Sequence, residues 1–432
     1  MGRMVCRVCA NDAEKFINIG NGKVVCTSCA SIVSNLLKEN ESFLADEQGM
    51  YSMNRPLGKK EQNNSSNIQT ISYEKLAPFK PSSVKRKLDE YIVGQEQAKK
   101  IISVAAYNHM KRIVLNDKGL QKSNILLMGP TGSGKTLIAR TLGKILDVPV
   151  AIVPATNLTE AGYIGDDVST VIERLLQAAG GNVDKAQKGI VFIDEIDKLV
   201  SAKSGVRKEV GGKGVQQALL PILEGTVVNV NVPSGVNGMG VTSKVEIDTS
   251  HILFICGGAF PDLEGLIKKR LNGNTQIGFT GSSQEKKKVV DNVMQHTSTE
   301  DLIEFGLIPE FLGRLPVVTS LDKLNVEDLK RILTEPKDSI ITQYQKLFAV
   351  DDILLIFEDD ALEVIAERAV EKGTGARSLR SMLEELLLDL MYTMPDANEV
   401  HELVITVDFL CGKGNVLCRS CNVLDRGSLV IY

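Results

Sequence analysis

The sequence predicts an α/β protein: a parallel sheet covered by helices, a smaller α/β domain at the C-terminal end, and a small metal-dependent module at the N-terminal end. Three observations predict it. Short apolar segments alternate with segments whose apolar residues recur at three- and four-residue steps, the pattern of strands joined by crossover helices. One apolar segment, "NILLM", runs directly into the glycine-rich octapeptide "GPTGSGKT", Gly129 to Thr136. Near the N-terminus, four cysteines stand as two Cys-x2-Cys pairs.

The composition bounds the rest. With 432 residues, 43% hydrophobic and 24% charged, the chain has the size and balance of two or three globular domains with a substantial core. A net charge of −4 and a pI of about 5.8 argue against holding nucleic acid by bulk charge. No apolar run approaches the roughly 18 residues of a membrane span. The N-terminal "MGRMVCRVCANDAEKF" lacks the apolar core of a secretory signal. These features predict a cytoplasmic protein whose thiols stay reduced, so its eight cysteines need another explanation than disulfides.

Cys6-x2-Cys9 and Cys26-x2-Cys29, sixteen residues apart, have the spacing of a four-thiolate Zn2+ site. So short a segment buries too little apolar surface to fold unaided, and the metal would supply the missing free energy. Cys256 sits in an apolar segment. Cys411, Cys418 and Cys421 lack a matching second pair and read as buried or edge-strand thiols.

The expected organisation is a zinc-binding domain over 1–45, a flexible linker over 46–71, a large α/β domain over 72–320 and a small domain over 321–432. "SIVSNLLKE" reads as a short helix closing the first domain. "RPLGKKEQNNSSNIQ" is polar and aperiodic, as a linker is. "KRKLDEYIVGQEQAKKIISVAAYNHMKRIVL" reads as largely helical. The strands of the large domain are "NILLMG", "PVAIVPA", "GIVFIDE", "HILFICGG" and "LPVVTSL". Helices around "VEDLKRILTEP", "DDALEVIAERAVE" and "SLRSMLEELLLDLMYTM", with strands "ILLIF" and "ELVITV", form the small domain.

The octapeptide matches the G-x-x-x-x-G-K-[ST] phosphate loop in its strand–loop–helix setting. The loop Gly129, Pro130, Thr131, Gly132, Ser133 and Gly134 would bind the nucleotide, its glycines letting backbone N–H groups close around phosphate, helped by the helix end that continues through Leu137. Lys135 would reach the β- and γ-phosphates of ATP, and Thr136 would hold Mg2+. The strand "GIVFIDE" ends in Asp194, suited to the same Mg2+, and Glu195, suited to deprotonating the attacking water. The bland alternative is a solvated acidic strand end. Adjacent Asp and Glu beside a phosphate loop favour hydrolysis over nucleotide binding alone.

"LDEYIVGQEQAKK", "GPTGSGKT", "LTEAGYIGDDV", "IVFIDEIDK", "GVQQALLPILEGT", "ILFICGGAF", "IPEFLGRLPV" and "GTGARSLRS" occur in the order found in the ClpX family of AAA+ unfoldases. The chain resembles that family from about Ser72 to Pro395, and the four-cysteine module extends the likeness. The resemblance implies a P-loop AAA+ module that unfolds proteins and feeds them to a ClpP-type peptidase. It implies adenine contacts by Tyr91, Ile92 and Val93. Arg314 would be an arginine finger reaching the neighbouring subunit's nucleotide, and Arg377 would sense the γ-phosphate from the small domain. A finger acting in trans implies a ring, a homohexamer in this family.

The same resemblance places Tyr163 and Ile164, between Gly162 and Gly165, on a pore loop that grips unfolded or tagged substrates. Ile277, Gly278 and Phe279 match the loop that docks the peptidase, with Thr280 where the family commonly has glycine. No Ser-His-Asp or Cys-His set emerges from the four histidines, so the peptidase would be a separate protein.

Two departures qualify the likeness. The second pore loop of the family carries an Arg-Lys-His cluster, where this chain has "NVPSGVNGMGVTSK". Pro221 falls within an expected helix, where it removes a backbone donor and favours a kink. Two rival readings are an HslU-like protease ATPase, which lacks the cysteine module and carries a long insertion, and a zinc-bearing nucleic-acid-remodelling ATPase. The acidic pI and the Tyr163 loop favour the unfoldase.

Overall fold

The chain divides into two compact units, Met1–Asn67 and Ile68–Tyr432. The computed structural model describes residues 76–117, 119–159, 167–200, 212–233, 242–273, 293–396 and 400–412, with short strands elsewhere. In the first unit these are β1 (Phe16–Asn18) and β2 (Val24–Cys26), an antiparallel pair with Phe16 opposite Cys26. Cys6, Cys9 and Cys29, and the side chain of Cys26, lie outside the described residues, as does "SIVSNLLKE".

The second unit opens with helices α1 (Pro81–Asp89) and α2 (Glu96–Leu115). Where the sequence reads as nearly continuous helix, the chain bends sharply between them. Gly94 and Gln95 both take left-handed backbone, at φ 63° and 57°. Lys99, only 2% exposed, fastens the bend: its Nζ lies 2.5 Å from Asp89 Oδ1 and 2.9 Å from Glu96 Oε1, and donates to the Ile92 carbonyl.

A five-stranded parallel sheet follows, in the order β4-β5-β8-β3-β9. Its strands are β3 (Ile125–Met128), β4 (Val150–Pro154), β5 (Ile190–Asp194), β8 (Leu253–Gly258) and β9 (Val317–Ser320). These are the five strands read from the sequence. Strands β3, β5 and β8 are covered on both faces, so their sequences are apolar runs rather than alternations. On one face, Ile125, Leu127, Phe192 and Ile255 pack under α1, α2 and α3 (Lys135–Leu146). On the other, Leu126, Val191, Phe254 and Cys256 pack under α4 (Ser169–Ala178) and α5 (Gly212–Glu224). Each such fully buried Leu or Phe contributes roughly 1.5–3 kcal/mol.

Helix α5 runs through Pro221 and ends three residues later. The carbonyl that Pro221 leaves without an N–H partner belongs to Gln217, on the exposed face, where water can satisfy it. Strands β6 (Val227–Pro233) and β7 (Thr242–Asp248) form an antiparallel hairpin that the sequence reading did not foresee. Its tip, 234–241, lies outside the described residues.

After α6 (Leu263–Gly273), α7 (Pro309–Gly313) and β9, the chain enters a second hydrophobic cluster running from Leu324 to Leu410. It holds α8 (Val326–Thr334), α9 (Ile340–Ala349), α10 (Asp359–Glu371) and α11 (Arg377–Thr393). They pack beside a sheet ordered β10 (Leu354–Phe357), β11 (Glu402–Ile405), β12 (Leu417–Arg419) and β13 (Leu429–Ile431).

Burial pushes the Cys256 thiol up to about 12, so it is an inert core group. Cys411 departs from the reading as a buried or edge-strand thiol: it is exposed, at the end of a short helical turn. Cys418 lies on β12, an inner strand, and Cys421 is outside the described residues. Among the described residues, no helix is long and apolar enough to cross a membrane.

Candidate active site

The site forms where β3 and β8 end side by side. Gly129 N donates to Gly258 O at 3.1 Å, anchoring the first residue of the phosphate loop. Gly129 (φ 145°) has no room for a side chain, since a β-carbon would lie 2.9 Å from both the Leu321 Cβ and its carbonyl oxygen. Gly132 (φ 77°) is tighter still: a β-carbon would stand 2.2 Å from the Thr374 carbonyl oxygen. Ser133 Oγ donates to Pro130 O at 2.8 Å and draws the loop into a tight turn.

Lys135 opens α3, and its Nζ donates to Gly129 O at 2.6 Å and Pro130 O at 2.9 Å. The ammonium thus lies in the bend of the loop. Burial lowers its pKa, with Asp194 and Asp197 opposing and the Arg377 charge assisting. Thr136 Oγ1 donates to Asp194 Oδ2 at 3.1 Å, which brings together the two residues expected at Mg2+. A hydroxyl and a carboxylate oxygen side by side are the hard oxygen donors that Mg2+ prefers, and a β-carbon at nearby Gly134 would meet nothing within 4 Å, so these residues fit the ion. The other Asp194 oxygen accepts from Glu195 N at 2.9 Å. Glu195 is exposed and left-handed (φ 58°), so its carboxylate stands clear of the strand end. Leu137 is 48% exposed on the first turn of α3.

A cavity of about 420 Å³ adjoins the loop, bounded by Gly129, Pro130, Thr131, Phe260, Asp322 and Gly373 among others. That size suits a nucleotide-scale ligand. The second hydrophobic cluster reaches the loop through "GTGAR": Ala376 N donates to Gly132 O at 3.3 Å, and Arg377 begins α11 next to it.

Not every expected residue converges here. Tyr91, Ile92 and Val93 do not line this cavity. Ile92 and Val93 are buried, Ile92 in the core that also takes Leu321, and Tyr91 carries the Lys144 ammonium 5.7 Å above its ring. Arg314 stands at the other end of the sheet. Its carbonyl accepts from Asn124 Nδ2 at 3.0 Å, just before β3 begins, whereas the phosphate loop follows β3. Its guanidinium pairs with Glu224 Oε1 at 2.5 Å on the surface. Tyr163 and Ile164, and Ile277, Gly278 and Phe279, fall outside the described residues.

Asp197 went unremarked in the sequence. It is 6% exposed and accepts from Ala259 N at 3.2 Å and Phe260 N at 3.4 Å, tying the residues after Glu195 to the end of β8. The signal was available: a third acid in "DEID", one turn past the strand, with two backbone donors across the sheet. Among the described residues, no group of three or more His, Cys, Asp or Glu could hold a metal.

A parallel sheet with this loop, this acid pair and a second body closing on the loop defines a P-loop ATPase of the AAA+ class. Residues 120–318 match the family described as AAA domain (Cdc48 subfamily), and residues 324–408 match the C-terminal, D2-small domain, of ClpB protein. The chain is 46% identical over 406 residues to proteins named ATP-dependent Clp protease ATP-binding subunit ClpX, from Borrelia duttonii (strain Ly) and Borrelia recurrentis (strain A1). The alignment covers 92% of this chain and 88% of each relative. The chain belongs to the ClpX family and is an ATPase.

Proposed function

We propose that this chain is a protein unfoldase that hydrolyses ATP in a homohexameric ring, threads substrates through the central pore and passes them to a ClpP-type peptidase. One observation carries the ring: Arg314 and Lys135 stand at opposite ends of β3. A four-residue strand advances roughly 13 Å, and the loop adds to that, so Arg314 is badly placed to serve its own nucleotide and well placed to serve a neighbour's. The ClpX names of the relatives support the peptidase partner.

In this reading the N–H groups of the loop from Thr131 to Gly134 hold phosphate, with Thr136 and Leu137 continuing the helix end behind them. Lys135 leaves its two carbonyl partners for the β- and γ-phosphates. Thr136 and Asp194 hold Mg2+, which when bound screens phosphate charge. Glu195 takes the proton of the attacking water. Arg314 in trans and Arg377 in cis fork onto the γ-phosphate, a task that suits the planar guanidinium. Tyr91, Ile92 and Val93 do not line the cavity, and their role at the base rests on the family likeness alone. Tyr163 and Ile164 grip the threaded chain, and Ile277, Gly278 and Phe279 dock the peptidase. Cys6, Cys9, Cys26 and Cys29 hold Zn2+ in a separate N-terminal domain, and adaptors are further partners of the ring. The protein works in the cytoplasm, without a membrane or nucleic-acid partner.

The direct test is ATP-dependent loss of fluorescence from a tagged, folded reporter, followed with and without a ClpP-type peptidase. Unfolding without degradation is expected from the chain alone, and degradation when the peptidase is added. Phe279→Ala is expected to keep unfolding and lose degradation. Stimulation of the ATPase by DNA and not by unfolded protein would instead favour the nucleic-acid reading.

A further inference from the structure

Gln95 stands out as a residue whose backbone and side chain ask for different things. Its φ of 57° puts it in the left-handed region, where glycine or asparagine is the ordinary choice, and it starts α2 without capping it. Yet it is 7% exposed, and its side-chain amide reaches across to the backbone of Asp322. Nε2 donates to Asp322 O at 3.0 Å, and Oε1 accepts from Asp322 N at 2.8 Å. The amide thus pairs with Asp322 as a neighbouring strand would, using one donor and one acceptor that no carboxylate or hydroxyl supplies at that length.

Asp322 occupies a pivotal place. It lies two residues past β9 and lines the cavity beside the phosphate loop. Leu321 N donates to Met128 O at 2.8 Å, and Leu324 already belongs to the second hydrophobic cluster. Residues 321–323 are therefore the joint between the two cores. The strap that carries Tyr91 to Gln95 meets that joint at one end and, just before Tyr91, the turn between α8 and α9 at the other. At its near end, Glu90 O accepts from Lys337 N at 2.9 Å, and Lys337 Nζ donates to Glu90 Oε2 at 2.6 Å.

We infer that Gln95 is a positioning residue that clamps this strap to the joint, so that a nucleotide in the cavity that Asp322 lines moves the strap and the second body together. The inference rests on the unfoldase reading above. Without the clamp the strap keeps its contacts with Lys337, but its other end no longer moves with residues 321–323. Hydrolysis then continues with little mechanical output.

The test uses the full-length ring, the fluorescent reporter and two variants. Gln95→Gly removes the clamp and accepts the left-handed backbone without strain, so folding is preserved. Gln95→Glu keeps the size and one acceptor but sets a carboxylate against the Asp322 carbonyl. Both are expected to bind ADP nearly as the wild type does and to consume roughly tenfold more ATP per reporter molecule unfolded. The inference is overturned if that ratio stays at the wild-type value, whether both rates are normal or both fall together as in simple destabilisation. A wild-type ring that cannot unfold the reporter would instead overturn the functional reading beneath it.

Discussion

The side-chain amide of Asn124 donates to the carbonyl of Arg314 at 3.0 Å, and this bond seats Arg314 at the end of β3 remote from Lys135. In the proposed ring, a subunit so built draws on a neighbour's arginine. Arg314→Ala is expected to lower ATP turnover on the order of 10³-fold or more. Glu195→Gln should bind ATP normally and lose about 10²- to 10⁴-fold in turnover. Mixing the two inactive proteins should restore activity, because some junctions then pair an intact Glu195 with an intact Arg314. A mixture as inactive as its components would place Arg314 outside the trans role.

Tyr163→Ala is expected to retain ATP hydrolysis and to lose translocation, since the grip proposed for that loop depends on side-chain bulk. Normal unfolding of the reporter by this variant would remove Tyr163 from the pore.

Chelation of Zn2+ is expected to unfold the N-terminal module, read by circular dichroism of residues 1–45, while the ATPase rate of the full chain persists. Loss of both together would mean that the cysteine module and the ATPase core fold as one.

His109 predicts a specific acid sensitivity. It is 4% exposed on α2, and its Nε2 has no hydrogen-bond partner. Burial, aided by the charges of Lys122 and His251, lowers its pKa to about 3 from the ordinary 6.5. The unfolded chain therefore takes up a proton on this ring before the folded one does. The stabilisation is complete above pH 6.5 and is lost as the pH falls from 6.5 towards 3, at up to about 1.4 kcal/mol per pH unit. The melting temperature of wild type should fall more steeply between pH 7 and pH 5 than that of His109→Gln. Parallel curves would assign the acid response to other groups.

The large sheet was readable because its central strands are covered on both faces, which leaves long apolar runs such as "GIVFI" and "HILFIC" between polar turns. The phosphate loop and Asp194 were readable because their chemistry is local: a fixed spacing, then a strand ending in acid. What escaped was non-local. The bend at Gly94 and Gln95 looks helical by periodicity, and only the buried Lys99 and the Asp322 pairing reveal why the chain turns there. Asp197 looked like surface charge because its two donors, Ala259 N and Phe260 N, lie about sixty residues away. The β6–β7 hairpin hid because "VVNVNVP" and "TSKVEID" are joined by a long glycine-rich stretch rather than a two-residue turn. Nor does a motif such as "FLGRLP" say which end of a sheet its arginine occupies.

Gly132 carries a consequence for any attempt to stiffen this protein. Its bare α-carbon lets the Thr374 carbonyl settle where a methyl would intrude to 2.2 Å, while its own oxygen receives the Ala376 N–H. The phosphate loop and the helix that begins at Arg377 therefore meet here with no side chain between them. An alanine there would act as a shim, prising the Thr374–Ala376 backbone away from the loop.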